Sequence, residues 1–289
     1  MNSVRAYVDL MKLRVVELLL VTTLPAMVLA QKGLPSFGLT LATILGGTLA
    51  AGSANAFNMV IEADVDKVMK RTSNRPLVTG AVTKIEALVF AFTIGILSLA
   101  IFRIFTTALA TILTAVAIAY YVLIYTIALK KNTSQNIVWG GAAGCAPVLI
   151  GWAAVTNSLS LTAWAFFLAI FFWTPPHFWA LAIKYKDDYE AAKIPMLPVV
   201  ASRSVVLKQM WIHTILMVIS SVAVLSFAEL QWWAYLITIS LGAVYAFQLK
   251  ELNSGQSNYG AVAGKIFQWS ITYLSLYSLL LVVAQLFKA

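Results

Sequence analysis

Asn58-Met-Val-Ile-Glu62-Ala-Asp-Val-Asp66-Lys67-Val-Met-Lys70-Arg71-Thr-Ser-Asn-Arg75-Pro76 is the stretch whose reading decides the fold. It follows an unbroken apolar run over 37–61, a length that spans a bilayer, and then crowds acids and bases together. A spanning helix that ends in clustered acids is unusual, because carboxylates are costly next to hydrocarbon and persist there mainly for function.

The rest of the chain has the same character. Of 289 residues, 61% are hydrophobic and 11% charged, with a mean hydropathy of +0.86. Soluble domains average about 45–50% apolar and about 25% charged residues, so a water-soluble globule and a disordered chain are both excluded. Apolar runs predict nine spanning helices, at 15–31, 37–61, 85–103, 106–129, 136–156, 161–183, 209–228, 232–249 and 266–287. The expected fold is an all-α membrane protein, one polytopic domain over 1–289. A basic N-terminus, an apolar run and Val28-Leu29-Ala30 before Gln31 also match a secretory signal. That run is long for a signal core and reads as a span.

The net charge of +9 is topological in origin. With these spans, 17 of the 20 Lys and Arg residues fall on one side, and only Lys32, Arg103 and Lys288 on the other. Positive-inside bias places the N-terminus and the long loops in the cytoplasm, and no nucleic acid is needed as a partner to account for the charge. A single cysteine, Cys145, rules out an intramolecular disulfide or a CxxC site, and two histidines, His177 and His213, argue against zinc. Any metal chemistry must use oxygen ligands.

Asn58, Glu62 and Asp66 are four residues apart, on one face of a continuing helix, and offer the oxygen ligands that Mg²⁺ prefers. A solvated helix end is the plain alternative. The bases that follow favour a Mg²⁺-bridged phosphate ester, with Arg71 and Arg75 able to grip phosphate oxygens bidentately and Pro76 holding the run in a loop. For Lys67 and Lys70, contact with anionic lipid is the plainer alternative.

The order recurs at Lys184-Tyr185-Lys186-Asp187-Asp188-Tyr189, before Ile194-Pro-Met-Leu-Pro198. This acid cluster lies four spans after the first, so a direct pseudo-repeat of helices 1–4 and 5–8 is expected. Trp173-Thr-Pro175-Pro176-His177-Phe-Trp179 leads into it. Paired prolines in a span are tolerated where the backbone lines an enclosed cavity. His177 therefore reads as pocket-facing or as a hydrogen-bonded buried histidine. His213 reads as the latter. A third patch, Tyr125 to Asn136 with Lys130-Lys131, ends the fourth span on the same side as the acids.

Together these motifs resemble the UbiA superfamily of intramembrane prenyltransferases, over the whole length from the first span to the last. The Asn58-xxx-Glu62-xxx-Asp66 and Met69-to-Leu77 runs carry the superfamily likeness. The Trp173-to-Ala182 stretch, with Asp187-Asp188-Tyr189 and Ile194 to Pro198, resembles the branch that acts on haem. The resemblance implies helices around a central cavity, Mg²⁺ (two ions bridging a diphosphate) and two substrates, farnesyl diphosphate and protohaem IX (haem B). The implied reaction joins the farnesyl group to the 2-vinyl group of the haem, giving haem O for terminal oxidases. A downstream haem A synthase is a possible partner.

In this reading Asn58, Glu62 and Asp66 hold one metal and Asp187 or Asp188 a second. Lys67, Arg71, Arg75 and Lys131 hold diphosphate, while His177, Trp179 and Tyr185 contact or position haem. Three positions depart from the pattern: Glu62 for a common Asp, Lys193 for a usual Gly, and Lys131 for a frequent Arg. A quinone precursor or chlorophyllide is the alternative acceptor. Transport of an organic anion is disfavoured, because transporter sites lie near the midplane and these acids lie at helix ends.

Overall fold

The computed structural model describes residues 3–254 and 258–288, with backbone only at Ser3, Arg14, Val15, 17–20 and Ser254. The side chain of Arg14, one of the bases counted above, is thus outside the described residues. All regular structure among the described residues is helical. A short helix α1 (Ser3–Met11) precedes α2 (Leu13–Gln31) and α3 (Phe37–Ile61), and α4 (Ala63–Asp66) follows directly. Then come α5 (Lys84–Phe105) and α6 (Ala108–Ala119), which widens into a π-helical segment over Tyr120–Leu129. The remainder is α7 (Asn136–Thr156), α8 (Leu161–Lys184), α9 (Lys186–Ala191), α10 (Leu197–Val200), α11 (Arg203–Phe227), α12 (Trp232–Ser254) and α13 (Tyr259–Leu286).

Eight helices among the described residues are long and apolar enough to cross a membrane. They match the second to ninth expected spans. The first expected span corresponds to α2, a helix of 19 residues with Pro25 inside it, whose apolar stretch among the described residues is Val21–Gln31. The sequence sets most starts by capping. Ser36, Thr107, Ser160 and Ser202 each accept an N–H from the first helical turn, and Thr83 with Glu86 forms a reciprocal capping box.

Lipid gives helices no hydrophobic reason to associate, so small residues and buried polar contacts hold them together. The most extensive pairings are α3 with α5 and α8 with α11. Between α3 and α5, Ser53 Oγ donates to Ala91 O at 2.8 Å and Ser98 Oγ to Gly46 O at 2.7 Å. At Gly151, a Cβ would lie 2.8 Å from the Thr23 carbonyl, so glycine is what lets α7 approach the α2 backbone. Large apolar side chains such as Ile85 and Trp232 stay more than 70% exposed, as a surface bathed in lipid requires.

The contacts also sort the helix ends. Lys12, Asn58, Thr126 and Lys130 meet at one end, whereas Leu109 meets Asn157 and Lys288 meets Glu229 at other helix ends.

Candidate active site

The acid-bearing helix does not stop where α3 formally ends. Glu62 N–H donates to Asn58 O at 3.0 Å and Asp66 N–H to Glu62 O at 2.9 Å, so the four-residue ladder runs on. Asn58, Glu62 and Asp66 therefore keep one face. All three are buried, with 2%, 1% and 3% exposure. Buried carboxylates need paired charge to persist, and each member of the triad has a cation.

Lys12 Nζ donates to Asn58 Oδ1 at 2.8 Å, Lys130 Nζ to Glu62 Oε2 at 2.6 Å, and Arg75 Nη1 to Asp66 Oδ2 at 2.5 Å. Asn58 Nδ2 in turn donates to Thr126 Oγ1 at 3.2 Å. Burial of the Lys12 ammonium, then the like charges of Arg75 and Lys130, hold its pKa well below the usual lysine value, against the pull of Glu62 and Asp66.

One atom in this array has no hydrogen-bond partner: Glu62 Oε1, which is fully buried. Orphaned buried oxygens call for an explanation. Beside Asn58 Oδ1 and Asp66 it completes a set of hard oxygen donors, which fits a divalent cation of the Mg²⁺ type.

Two of the expected diphosphate cations lie elsewhere. Lys67 is exposed and pairs with Asp64 at 3.2 Å, which holds the Asp64 carboxyl below its ordinary pKa. Lys131 is exposed, and its neighbour Lys130 takes the position beside Glu62. The cause is the π-helical segment: Lys130 N–H donates to Tyr125 O at 2.9 Å, five residues back, and the wider turn changes which lysine faces inward. Gly140 accommodates the Tyr125 ring, which would collide with a Cβ there.

The second acid cluster is organised differently from the first. Asp187 is exposed, and Asp188 Oδ2 accepts the Arg71 backbone N–H at 3.1 Å. The Arg71 guanidinium donates to Tyr189 OH at 3.3 Å and lies 5.8 Å from the centroids of both the Tyr185 and Tyr189 rings. A second preassembled metal set is thus not evident, and no group of three or more His, Cys, Asp or Glu suited to a metal occurs among the described residues. Buried Met69, Ile137, Tyr189, Ile194 and Met196 tie the two acid regions together.

Lys193 shows why a glycine is usual at its position. Its φ is +53°, and Lys193 N–H to Glu190 O with Ile194 N–H to Tyr189 O form the paired bonds of a left-handed helix stop. A lysine there carries a strain of roughly 1–2 kcal/mol. Lys193→Gly is expected to raise the thermal unfolding midpoint of the solubilised protein by a few degrees without loss of activity. A lowered midpoint would contradict this account.

The residues expected to position haem do not converge. His177 is buried between the Trp173 and Phe267 rings, at centroid distances of 4.3 and 4.5 Å. Ser270 Oγ donates to Phe267 O at 2.6 Å, so at the 2.5 Å contact between Ser270 Oγ and His177 Nδ1 the imidazole is the donor. Its surroundings are packed rings, and α8 runs unbroken through Pro175 and Pro176. Trp179, two residues on and hence on another helix face, is fully buried with its ring edge-on to His213. Tyr185 lies with Arg71. Lys12 and Asn55, whose Oδ1 accepts from Tyr121 OH at 3.4 Å, join the cluster although no local sequence pattern marks them.

The comparisons with known proteins bear on this arrangement. The model of the UbiA prenyltransferase family matches residues 19–284. The chain belongs to the UbiA prenyltransferase family. As a UbiA member with eight long apolar helices, it is a multi-pass membrane prenyltransferase.

Within the family it is 48% identical to a protein of Renibacterium salmoninarum over 94% of this chain and 86% of the relative. It is 45% identical to one of Streptomyces coelicolor over 97% and 90%. Both relatives are named protoheme IX farnesyltransferase. Among solved UbiA folds, a digeranylgeranylglyceryl phosphate synthase superposes with a TM-score of 0.81 at 15% identity, covering 99% of each chain. A UbiA homologue from Archaeoglobus fulgidus, bound to GPP and Mg²⁺, gives 0.67 at 18% identity, over 96% of this chain and 99% of that one.

Proposed function

We propose that this UbiA-family chain transfers the farnesyl group of farnesyl diphosphate to the 2-vinyl group of protohaem IX, giving haem O. The observation that carries the chemistry is the buried triad Asn58, Glu62 and Asp66, each residue matched through one oxygen by a Lys or Arg, with Glu62 Oε1 left open. The acceptor rests on the protoheme IX farnesyltransferases that align at 45–48% identity over nearly the whole chain.

Asn58, Glu62 and Asp66 would hold Mg²⁺, which supplies charge neutralisation for a departing diphosphate. A second ion would require Asp188 to release the Arg71 N–H, with Asp187 turning in from the surface. Arg75 and Lys130, already ordered by the acids, would take diphosphate oxygens. Arg71 stands at the rim. Preorganised cations aimed at developing negative charge usually lower the barrier of such a transfer more than any other effect.

As the allylic C–O bond breaks, its electron pair leaves with the diphosphate. The vinyl π-electrons attack the farnesyl carbon, and water adds to the resulting cation with loss of a proton. The Tyr121 and Tyr125 rings, 5.3 Å apart beside this cluster, offer π faces that tolerate cationic charge. No side-chain nucleophile is needed.

The positive-inside pattern supports a site at the cytoplasmic face of the cell membrane. Two acid-tailed helices, α3 and α8, each packed on the span that leads on from their loop, fit a direct duplication of the fold.

Membranes containing the overproduced chain, supplied with protohaem IX, farnesyl diphosphate and Mg²⁺, are expected to accumulate haem O by pigment chromatography, and to stop when EDTA is added. A prenylated quinone precursor or chlorophyllide with unaltered haem would overturn the haem assignment.

A further inference from the structure

In sequence Lys12 is one of several N-terminal bases, 46 residues from the acid motif. The fold delivers it there. Helix α1 buries Ala6 and Leu10, a spacing that puts both on one face, against Ala56, Met59, Ala87 and Ala91 of α3 and α5. Asn55 Nδ2 donates to Met11 O at 3.0 Å, and Gly52 leaves room for Met11, whose Cε would lie 2.7 Å from a Cβ at that position.

The chain then turns sharply. Lys12 has φ 52° and ψ 54°, a left-handed conformation disfavoured for a lysine, and α2 starts at the next residue. Strain of this kind persists where the surroundings over-determine it and is concentrated at functional sites. Its result here is an ammonium held 2.8 Å from Asn58 Oδ1.

That atom is also the one Asn58 would offer to a metal. The Asn58 amide nitrogen is engaged with Thr126, which fixes the oxygen toward Lys12, and an ammonium and a divalent cation held on that one oxygen would repel each other. We propose that Lys12 is a diphosphate-binding residue: it holds the Asn58 oxygen while the site is empty and passes to a diphosphate oxygen when metal and substrate enter.

Charge balance supports this assignment. Lys12, Arg75 and Lys130 against Glu62 and Asp66 leave one net positive charge. A single divalent ion brings the site to three, which neutralises a trianionic diphosphate. Without Lys12 one negative charge remains unmatched inside the protein, where uncompensated charge is costly. The inference rests on the prenyl-diphosphate reading above and adds to it the cation that vacates the metal ligand.

The test uses the full solubilised chain and its K12M and K12R forms. Binding of farnesyl diphosphate with Mg²⁺ is measured by calorimetry, and binding of Mn²⁺ alone by electron paramagnetic resonance. The proposal expects K12M to weaken farnesyl diphosphate at least tenfold, K12R to restore it to within threefold, and Mn²⁺ alone to bind K12M as tightly as wild type or tighter. Equal farnesyl diphosphate affinity in wild type and K12M overturns it. Should K12M lose Mn²⁺ binding through misfolding, K12R decides: binding close to wild type upholds the role, and lost binding in a folded K12R overturns it. A wild-type chain that binds Mn²⁺ but no farnesyl diphosphate overturns the underlying substrate reading instead.

Discussion

Replacing Asp66 by Asn will reduce haem O formation by about 10²–10³-fold, the range seen when one preorganised electrostatic group is removed, while the protein still inserts into membranes. Asp66 is 3% exposed and accepts from Arg75 Nη1 at 2.5 Å. Asn keeps the size and one acceptor oxygen but removes the charge that orients the guanidinium and would hold the metal. Asp66→Ala is the harsher form. It strands a partly buried Arg75, and removing one partner of a buried pair costs roughly 3–5 kcal/mol.

The two variants separate chemistry from folding. Asn, which keeps one acceptor for the guanidinium, should lose turnover with a smaller fall in the unfolding midpoint than Ala, which should lose both. An Asp66→Asn enzyme that makes haem O at the wild-type rate would remove Asp66 from the proposed metal set.

Much of the molecule was legible from composition alone, because a bilayer imposes a length and a polarity on every span. The second to ninth expected spans recur as helices, and where a boundary moved the cause is local. Helix α11 begins at Arg203 rather than 209, since Ser202 caps it and its first turns carry Arg203 and Lys208, which a hydropathy window excludes. The first span is preceded by the separate helix α1, which is too short to register as a hydrophobic run.

The triad Asn58, Glu62 and Asp66 was legible because spacing by four survives any helix that continues. Lys193 was legible as a departure, and its left-handed φ gives the physical reason glycine is usual there. Two features were not readable. Lys12 reaches Asn58 only through tertiary packing, so nothing near it in the chain reports its role. The lysine that meets Glu62 depends on a π-helical register, and counting at 3.6 residues per turn cannot anticipate it.

That register yields the second large effect. Lys130→Met is expected to reduce haem O formation by about 10²-fold or more, whereas Lys131→Met leaves it within about threefold. Lys130 Nζ lies 2.6 Å from Glu62 Oε2, with the Glu62 side chain 2% and the Lys130 side chain 18% exposed. Losing the ammonium leaves a buried carboxylate without its partner, a penalty of roughly 3–5 kcal/mol that folding and substrate binding must share.

Lys131 is exposed, where a single charge contributes only about 0–1 kcal/mol. The two residues are adjacent and identical in type, so the comparison cancels every effect of composition, net charge or lipid headgroup attraction. Only the direction of the side chain differs. Lys130→Arg should keep most of the activity, because a guanidinium can still reach Glu62, though Tyr125 packed at Gly140 limits the space available to it. If Lys131→Met proves the damaging change and Lys130→Met the silent one, the segment from Tyr120 to Leu129 has the other phase, and Glu62 is balanced by a different cation.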